Sequence, residues 1–338
     1  MINIALDMLG GDLSPSVNVE GAVNAINELK DLHVYAFGDE ESLKNSFSNY
    51  KFDKERLTIV HAPDEISCNE IPTLAIRSKK ESSLVKAIDT IKAGENDINA
   101  LVSIGSTGAV LAGAVLKLGR IRGVKRPALC PILPTVTGKV VAICDSGANA
   151  ECDAEMLHQF AIMSSLYMEK AFGVKNPRVA LLNIGAEEEK GDPLRKEVYK
   201  RLKNDERVNF VGNMEGRDLL SGVCDVVVCD GFSGNVLLKS TEGACLELMG
   251  LIKKTLTSNL KTKIGALLIK KKVYDIKDLM DYNNYGGAVL LGGSKTVVKG
   301  HGSSKATAVY NCLKQAYNME KSKLCDAIAE NINGALGD

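Results

Sequence analysis

The chain has 338 residues, 45% of them hydrophobic, and its 42 basic and 42 acidic side chains cancel. That length can bury a large core in one large domain or two lobes, and the charge balance gives nothing global to draw it to nucleic acid. No apolar run reaches the roughly 18 residues of a membrane span, and the N-terminus enters strand-like INIAL without a basic region or cleavage site, so the sequence reads as cytoplasmic.

In chain order, Ile2 to Leu9 reads as a first strand running into Gly10-Gly11-Asp12, and Ser14-Pro15 starts a helix through Leu29. His33–Phe37 and Leu57–His61 read as strands, with a polar surface helix over Glu40–Tyr50 between them. From Pro72 to Lys92 the apolar residues fall mostly at helical spacing. Ala100–Ile104 is a buried strand leading into Gly105-Ser106-Thr107-Gly108 and an alanine-rich helix. Ala128–Leu133 and Val140–Cys144 predict two more strands, the second ending in DSGAN (145–149) before a helix over Cys152–Lys170. Val179–Asn183 ends in IGAEEEKG (184–191), with a helix from Pro193.

Val226, Val227 and Val228 make a short β-branched run that Asp230-Gly231 breaks, and a helix opened by Ser233 and Asn235 follows. Glycines there let the backbone approach a ligand, and free N–H groups at a helix start favour an anion; for one such turn taken alone, a plain capped connection is the stronger reading. From Glu242 to about Met280 the chain stays helical. Leu260, Ile264, Leu267 and Leu268 form an apolar stripe flanked by Lys261, Lys263, Lys270, Lys271 and Lys272. That stripe suits either a membrane surface or a core- or dimer-facing helix. Val297-Val298 leads to Gly300-His301-Gly302-Ser303-Ser304 and a closing helix.

Alternating strands and helices predict an α/β fold with a mostly parallel, doubly wound sheet, whose strand-to-helix turns gather at one edge as a binding site. The nine cysteines form no C-x-x-C pair and read as buried reduced thiols, and the four histidines are scattered, so no metal centre is expected. Asp7, Asp12, Asp145 and Asp230 lie near strand ends, where either magnesium binding or turn formation accounts for them. His301 suits a proton donor, an anion ligand or a structural role.

Taken together, LDMLGGD, SIGSTGA, DSGAN, LLNIGAEEEKG, FVGNMEGRDLL, CDGFSGNVLLKSTEG, YGGAVLLG and GHGSS resemble the bacterial phosphate acyltransferases of phospholipid synthesis, which make acyl phosphate from acyl-acyl carrier protein and inorganic phosphate. The chain departs from the usual pattern at Met8, Leu9, Ser106 and Ser146. The resemblance implies a Rossmann-like α/β/α sandwich related to the isocitrate and isopropylmalate dehydrogenases, a homodimer, and no nucleotide or metal cofactor. It implies Lys190 and Asn235 as catalytic, with phosphate and substrate held around Gly10, Gly11, Asp12, Ser106, Thr107, Gly108, Asn149, Gly185, Ser233, Gly234, His301, Ser303 and Ser304. It further implies membrane contact through Leu260, Ile264, Leu267 and Leu268 at the inner face of the cell membrane, and acyl phosphate delivery to a membrane glycerol-3-phosphate acyltransferase. An acidic carrier protein should dock on basic residues, with Arg195, Lys196, Lys200, Arg201 and the basic helix as candidates. Two other functions compete: a nicotinamide-dependent dehydrogenase of the related fold, against which stands the missing G-x-G-x-x-G after the first strand, and a non-catalytic lipid or acyl-carrier binding module.

Overall fold

In the computed structural model, which describes residues 1–279 and 282–333, strands and helices alternate as β1 (Ile2–Asp7), α1 (Ser16–Glu28), β2 (Leu32–Gly38), α2 (Glu40–Ser48), β3 (Leu57–His61), α3 (Pro72–Ser78), α4 (Ser83–Ala93), β4 (Ala100–Ser103) and α5 (Thr107–Gly113). Then come β5 (Ala128–Cys130), β6 (Ile132–Pro134), β7 (Val140–Cys144), α6 (Ala154–Phe172), β8 (Arg178–Leu182), α7 (Pro193–Lys203), β9 (Asn209–Met214) and β10 (Val226–Val228). The chain closes with α8 (Gly231–Leu256), α9 (Leu260–Leu279), β11 (Ala288–Leu291), β12 (Thr296–Lys299), α10 (Ala306–Lys321) and α11 (Leu324–Asn333).

The strands form two sheets. The seven-stranded sheet runs β3-β2-β1-β4-β12-β11-β5 and the five-stranded one β6-β7-β10-β8-β9. Both are mostly parallel; β11 runs against β12 and β5, and β6 against β7. The single strand expected over 128–133 is divided at Pro131, which has no N–H for a ladder, so β5 stays in the first sheet while β6 joins the second. The helix expected over 72–92 is likewise two helices. Ser82 accepts from the Val85 N–H to start α4, and Lys79 leaves helical geometry, its ammonium on Glu70 at 2.9 Å.

Strand periodicity sorts the core. Ile4 and Leu6 of β1, Ala142 and Cys144 of β7, and Val226 and Val228 of β10 face a cluster shared with α1, α6 and α10. On the opposite faces, Ala5 packs with α4 and α5, while Val141, Ile143 and Val227 pack with Leu238 of α8. Helices thus cover both faces of each sheet, giving the α/β/α arrangement. Five cysteines are buried as expected, but Cys68 is exposed.

Within each sheet the parallel strands end side by side: β4 pairs with both β1 and β12, and β10 with both β7 and β8. Two groups of turns result, one per sheet.

Candidate active site

In the first group the Asp7 carboxylate is the organiser. It accepts from the N–H groups of Leu9 (3.3 Å) and Gly10 (3.2 Å) and from the hydroxyls of Ser83 (2.5 Å) and Ser103 (2.7 Å). Asn18 donates to the Asp7 carbonyl at 2.9 Å and holds the same turn from α1. Gly10 and Gly105 lie so close that a Cβ on Gly10 would stand 2.7 Å from the Gly105 nitrogen. The Asp12 N–H donates to the Gly302 carbonyl at 2.9 Å, joining the third turn. The 9–12, 105–108 and 301–304 turns are therefore brought together.

Asp145 does for the second group what Asp7 does for the first. Its carboxylate accepts from the N–H groups of Leu129 (2.9 Å), Ala148 (3.1 Å) and Asn149 (2.7 Å) and from the Asn149 amide (3.0 Å). Burial raises its pKa, and these hydrogen bonds oppose the rise. The Gly231 N–H donates to the Asn149 carbonyl at 2.7 Å, and Gly234 sits against the Asp145 carbonyl, so α8 starts directly on the 145–149 turn. Asn235 points its amide at that turn: a Cβ on Gly147, where φ is +131°, would lie 2.9 Å from Asn235 Nδ2.

The cap of α8 differs from expectation. Asp230, not Ser233 or Asn235, is the N-cap; its carboxylate accepts from the Ser233 N–H (2.8 Å) and hydroxyl (2.9 Å). Asn235 lies within the helix and is exposed, so capping does not account for its side chain. Asp230 also pairs with Arg195 of α7, which bonds Asp192 as well (2.8 Å), and this links the 184–191 turn to the start of α8.

Lys190 is exposed in that turn, its carbonyl accepting from Asn183 at 3.1 Å. Gly185 is buried beneath it; a Cβ there would meet Lys190 Cγ at 2.9 Å. Three glutamates precede Lys190, yet Glu188 pairs with Lys203 (2.8 Å), and no described residue makes an ion pair with the Lys190 ammonium. That leaves a cation able to meet an anion from solution.

α8 connects the two groups. One turn beyond Asn235, Lys239 and its partner Glu242 (2.7 Å) face His301. Partial burial, then the charges of Lys239 and Lys299, push the His301 pKa down, against Glu242 and Asp12. The Ser303 N–H points to His301 Nδ1 at 3.3 Å and its hydroxyl lies 2.9 Å away, which makes Nδ1 an acceptor and Nε2 the protonated nitrogen of the neutral ring.

A family model described as "Fatty acid synthesis protein" matches residues 2–327. The sequence is 47% identical over 331 residues to a phosphate acyltransferase of Caldanaerobacter subterraneus subsp. tengcongensis, covering 98% of this chain and 97% of that one. To a phosphate acyltransferase of Clostridioides difficile it is 46% identical over 332 residues, covering 98% and 96%. The chain belongs to the phosphate acyltransferase family. It is an acyltransferase whose chemistry involves phosphate. A phosphotransacetylase from Streptococcus pyogenes shares the fold, with a TM-score of 0.56 at 17% identity over 94% of both chains, and a branched-chain phosphotransacylase from Enterococcus faecalis V583 gives 0.56 at 16% over 94% and 98%.

Against this frame the expected site residues divide. Gly10, Gly11, Asp12, Ser106, Thr107, Gly108, His301, Ser303 and Ser304 lie on the first group of turns, and Asn149, Gly185, Lys190, Ser233, Gly234 and Asn235 on the second. Both amide hydrogens of Asn149 are taken up inside the protein, by Asp145 and the Pro127 carbonyl (2.8 Å). Asp7, Asp145 and Asp230 all hold turns closed, and no three metal-ligating side chains cluster among the described residues. Lys299, buried at the end of β12, is a feature that sequence reasoning passed over, because a lysine closing a strand reads as a solvated end.

Leu260, Ile264, Leu267 and Leu268 are 74%, 59%, 75% and 83% exposed, so the stripe on α9 does not face this chain's own core. The helical excursion expected from 242 begins at the site itself, since α8 runs unbroken from Gly231; Met280 lies outside the described residues. α8 and α9, with Leu133, Pro134 and Leu220, line an apolar groove of about 600 Å³ to which Glu242, Cys245, Leu246, Met249, Leu256 and Val273 contribute. No described helix is long and apolar enough to cross a membrane. Of the basic residues considered for carrier docking, Arg195 is held by Asp192 and Asp230, and Arg201 by Glu155 and Glu197.

Proposed function

We propose that this acyltransferase moves a fatty acyl group from acyl-acyl carrier protein to inorganic phosphate, giving acyl phosphate for glycerol-3-phosphate acylation. The observation that carries the reading is the pairing of an amide aimed into a glycine turn, Asn235 over Gly147, with a lysine, Lys190, that no described carboxylate neutralises. A phosphate oxygen attacks the thioester carbonyl, the oxyanion forms, and the C–S bond breaks to release the carrier thiolate, which takes a proton from solvent. Phosphate is already a nucleophile, so no serine or cysteine intermediate is required. Lys190 orients and neutralises phosphate, and Asn235 donates to the oxyanion. The groove between α8 and α9 offers apolar surface for a long acyl chain.

The same reading takes the protein to the inner surface of the membrane as a homodimer. An exposed apolar stripe bordered by Lys261, Lys263, Lys270, Lys271 and Lys272 supports it. The test is to mix protein, acyl-acyl carrier protein and phosphate and follow free carrier thiol and acyl phosphate. Asn235→Ala should lower the rate about 10²- to 10³-fold in a folded protein, the usual consequence of losing one oxyanion donor. Lys190→Ala should raise the phosphate concentration needed for saturation and remove most turnover. Wild-type kinetics in both variants would refute the assignment.

A further inference from the structure

Lys299, the last residue of β12, is only 7% exposed, a rare setting for an ammonium ion. Its one hydrogen-bond partner among the described residues is the carbonyl of Gly300. The groups facing it are Cys312 of α10, Cys68 of the loop before α3, Asp7 at the end of β1, and Lys239 of α8, which is itself paired with Glu242. Asp7 is the sole carboxylate in that set, and four donors already occupy it. A desolvated cation with a neutral partner alone is unfavourable, and a protein gains by removing it unless something else requires it.

Ser304, on the same turn, repeats the anomaly. It is 2% exposed, and its hydroxyl has no hydrogen-bond partner among the described residues. Its oxygen lies 3.5 Å from the position a Gly300 Cβ would take, so the absence of a side chain at Gly300 leaves the hydroxyl clear. A buried cation without a carboxylate partner and a buried hydroxyl without a hydrogen-bond partner, both among the described residues, thus share six residues of backbone.

We propose that Lys299 and Ser304 form the receptor for inorganic phosphate, the ammonium meeting its charge and the hydroxyl donating to one of its oxygens. The proposal rests on the acyl-transfer reading for its ligand, and it separates two tasks: Lys299 and Ser304 hold the nucleophile, while Lys190 acts on it during transfer. Burial, with a smaller contribution from Lys239, pulls the Lys299 pKa down to about 8 against Cys312, Cys68 and Asp7. The side chain therefore remains protonated at neutral pH, and a bound anion would draw its pKa back up.

The experiment is titration of the full-length protein with inorganic phosphate alone, by calorimetry and by the shift in thermal midpoint. Lys299→Met keeps the length and apolar stem of the side chain. It should bind phosphate at least tenfold more weakly, with a phosphate-free midpoint equal to or above that of wild type and no phosphate-induced rise. Ser304→Ala removes a hydroxyl that bonds to none of the described residues, so it should fold normally and lose severalfold in affinity. Wild-type affinity in Lys299→Met overturns the proposal. So does a lowered midpoint in that variant combined with unchanged affinity in Ser304→Ala, since Lys299 is then structural. Acyl transfer stands apart in this design: wild type that binds phosphate yet leaves acyl-carrier thioester intact refutes the acyl-transfer reading and not the receptor.

Discussion

Replacing Gly234 by alanine tests the joint on which the second group of turns depends. A Cβ there would stand 1.9 Å from the Asp145 carbonyl oxygen and 2.7 Å from Cys229 Sγ. Neither neighbour can yield easily. Asp145 is fixed at its N–H by the Cys229 carbonyl (2.9 Å) and at its carboxylate by the 145–149 turn, and Cys229 Sγ itself donates to the same carbonyl at 3.2 Å. Helix α8 must therefore back away by about 1 Å to reach a tolerable contact. Overpacking of this kind costs about 1–3 kcal/mol, and a backbone-on-backbone clash belongs at the top of that range. At about 2.1 cal/mol/K per residue, 3 kcal/mol lowers the midpoint of a chain this size by about 4 °C. Asn235 is carried along, and a displacement of about 1 Å in a catalytic group can cost about 10²-fold in rate. Gly243→Ala is the internal control. It lies in the same helix with nothing within 4 Å of its Cβ, so alanine should stabilise by about 0.5–1 kcal/mol and leave turnover unchanged. Differential scanning and acyl phosphate formation on both variants read the result. A Gly234→Ala protein with wild-type midpoint and rate would refute the argument.

Leu267→Glu with Leu268→Glu should leave a folded, active protein that no longer sediments with anionic vesicles, because both side chains are exposed and each carboxylate opposes an anionic surface. Loss of dimer in size exclusion with vesicle binding retained would assign the stripe to a partner subunit instead. Asp205 gives a pH prediction: burial pushes its pKa up, but hydrogen bonds from the Arg207 side chain and N–H and from His158 (2.6 Å) outweigh it and hold the pKa at about 2, below the usual 3.8. Its contribution is full above about pH 4 and disappears as pH falls through about 2, so the stability gap between wild type and Asp205→Asn, followed by denaturant melts, should close over that window.

Parallel strands buried on both faces announced themselves as β-branched runs, and the turns behind them as glycine with small polar residues; that is why β1, β4, β7 and β10 and both groups of turns were legible. β9 was not, since NFVGNM is a half-buried edge strand with an irregular register, and its hydrophobic pattern is weak. β11 was missed for another reason. AVLL is four residues before a pair of glycines, and what makes it a strand is insertion between β12 and β5 together with Gln315, whose amide brackets Gly287 at 2.8 and 3.1 Å. Both are tertiary causes. The cap of α8 was misplaced because Asp, Ser and Asn all cap well, and only packing of Gly231 and Gly234 on the 145–149 turn fixes where the helix starts.

Charge at the site follows a rule that no single stretch of sequence expresses. Asp7, Asp145 and Asp230 stand at strand ends beside the turns, where three free carboxylates would repel phosphate. Each is closed off instead by donors of its own turn, or by Arg195 in the case of Asp230. The cations show the opposite treatment: Lys190 and Lys299 have no carboxylate partner among the described residues. In a chain with zero formal charge, these three acids are thus satisfied internally while Lys190 and Lys299 are not matched by a described carboxylate.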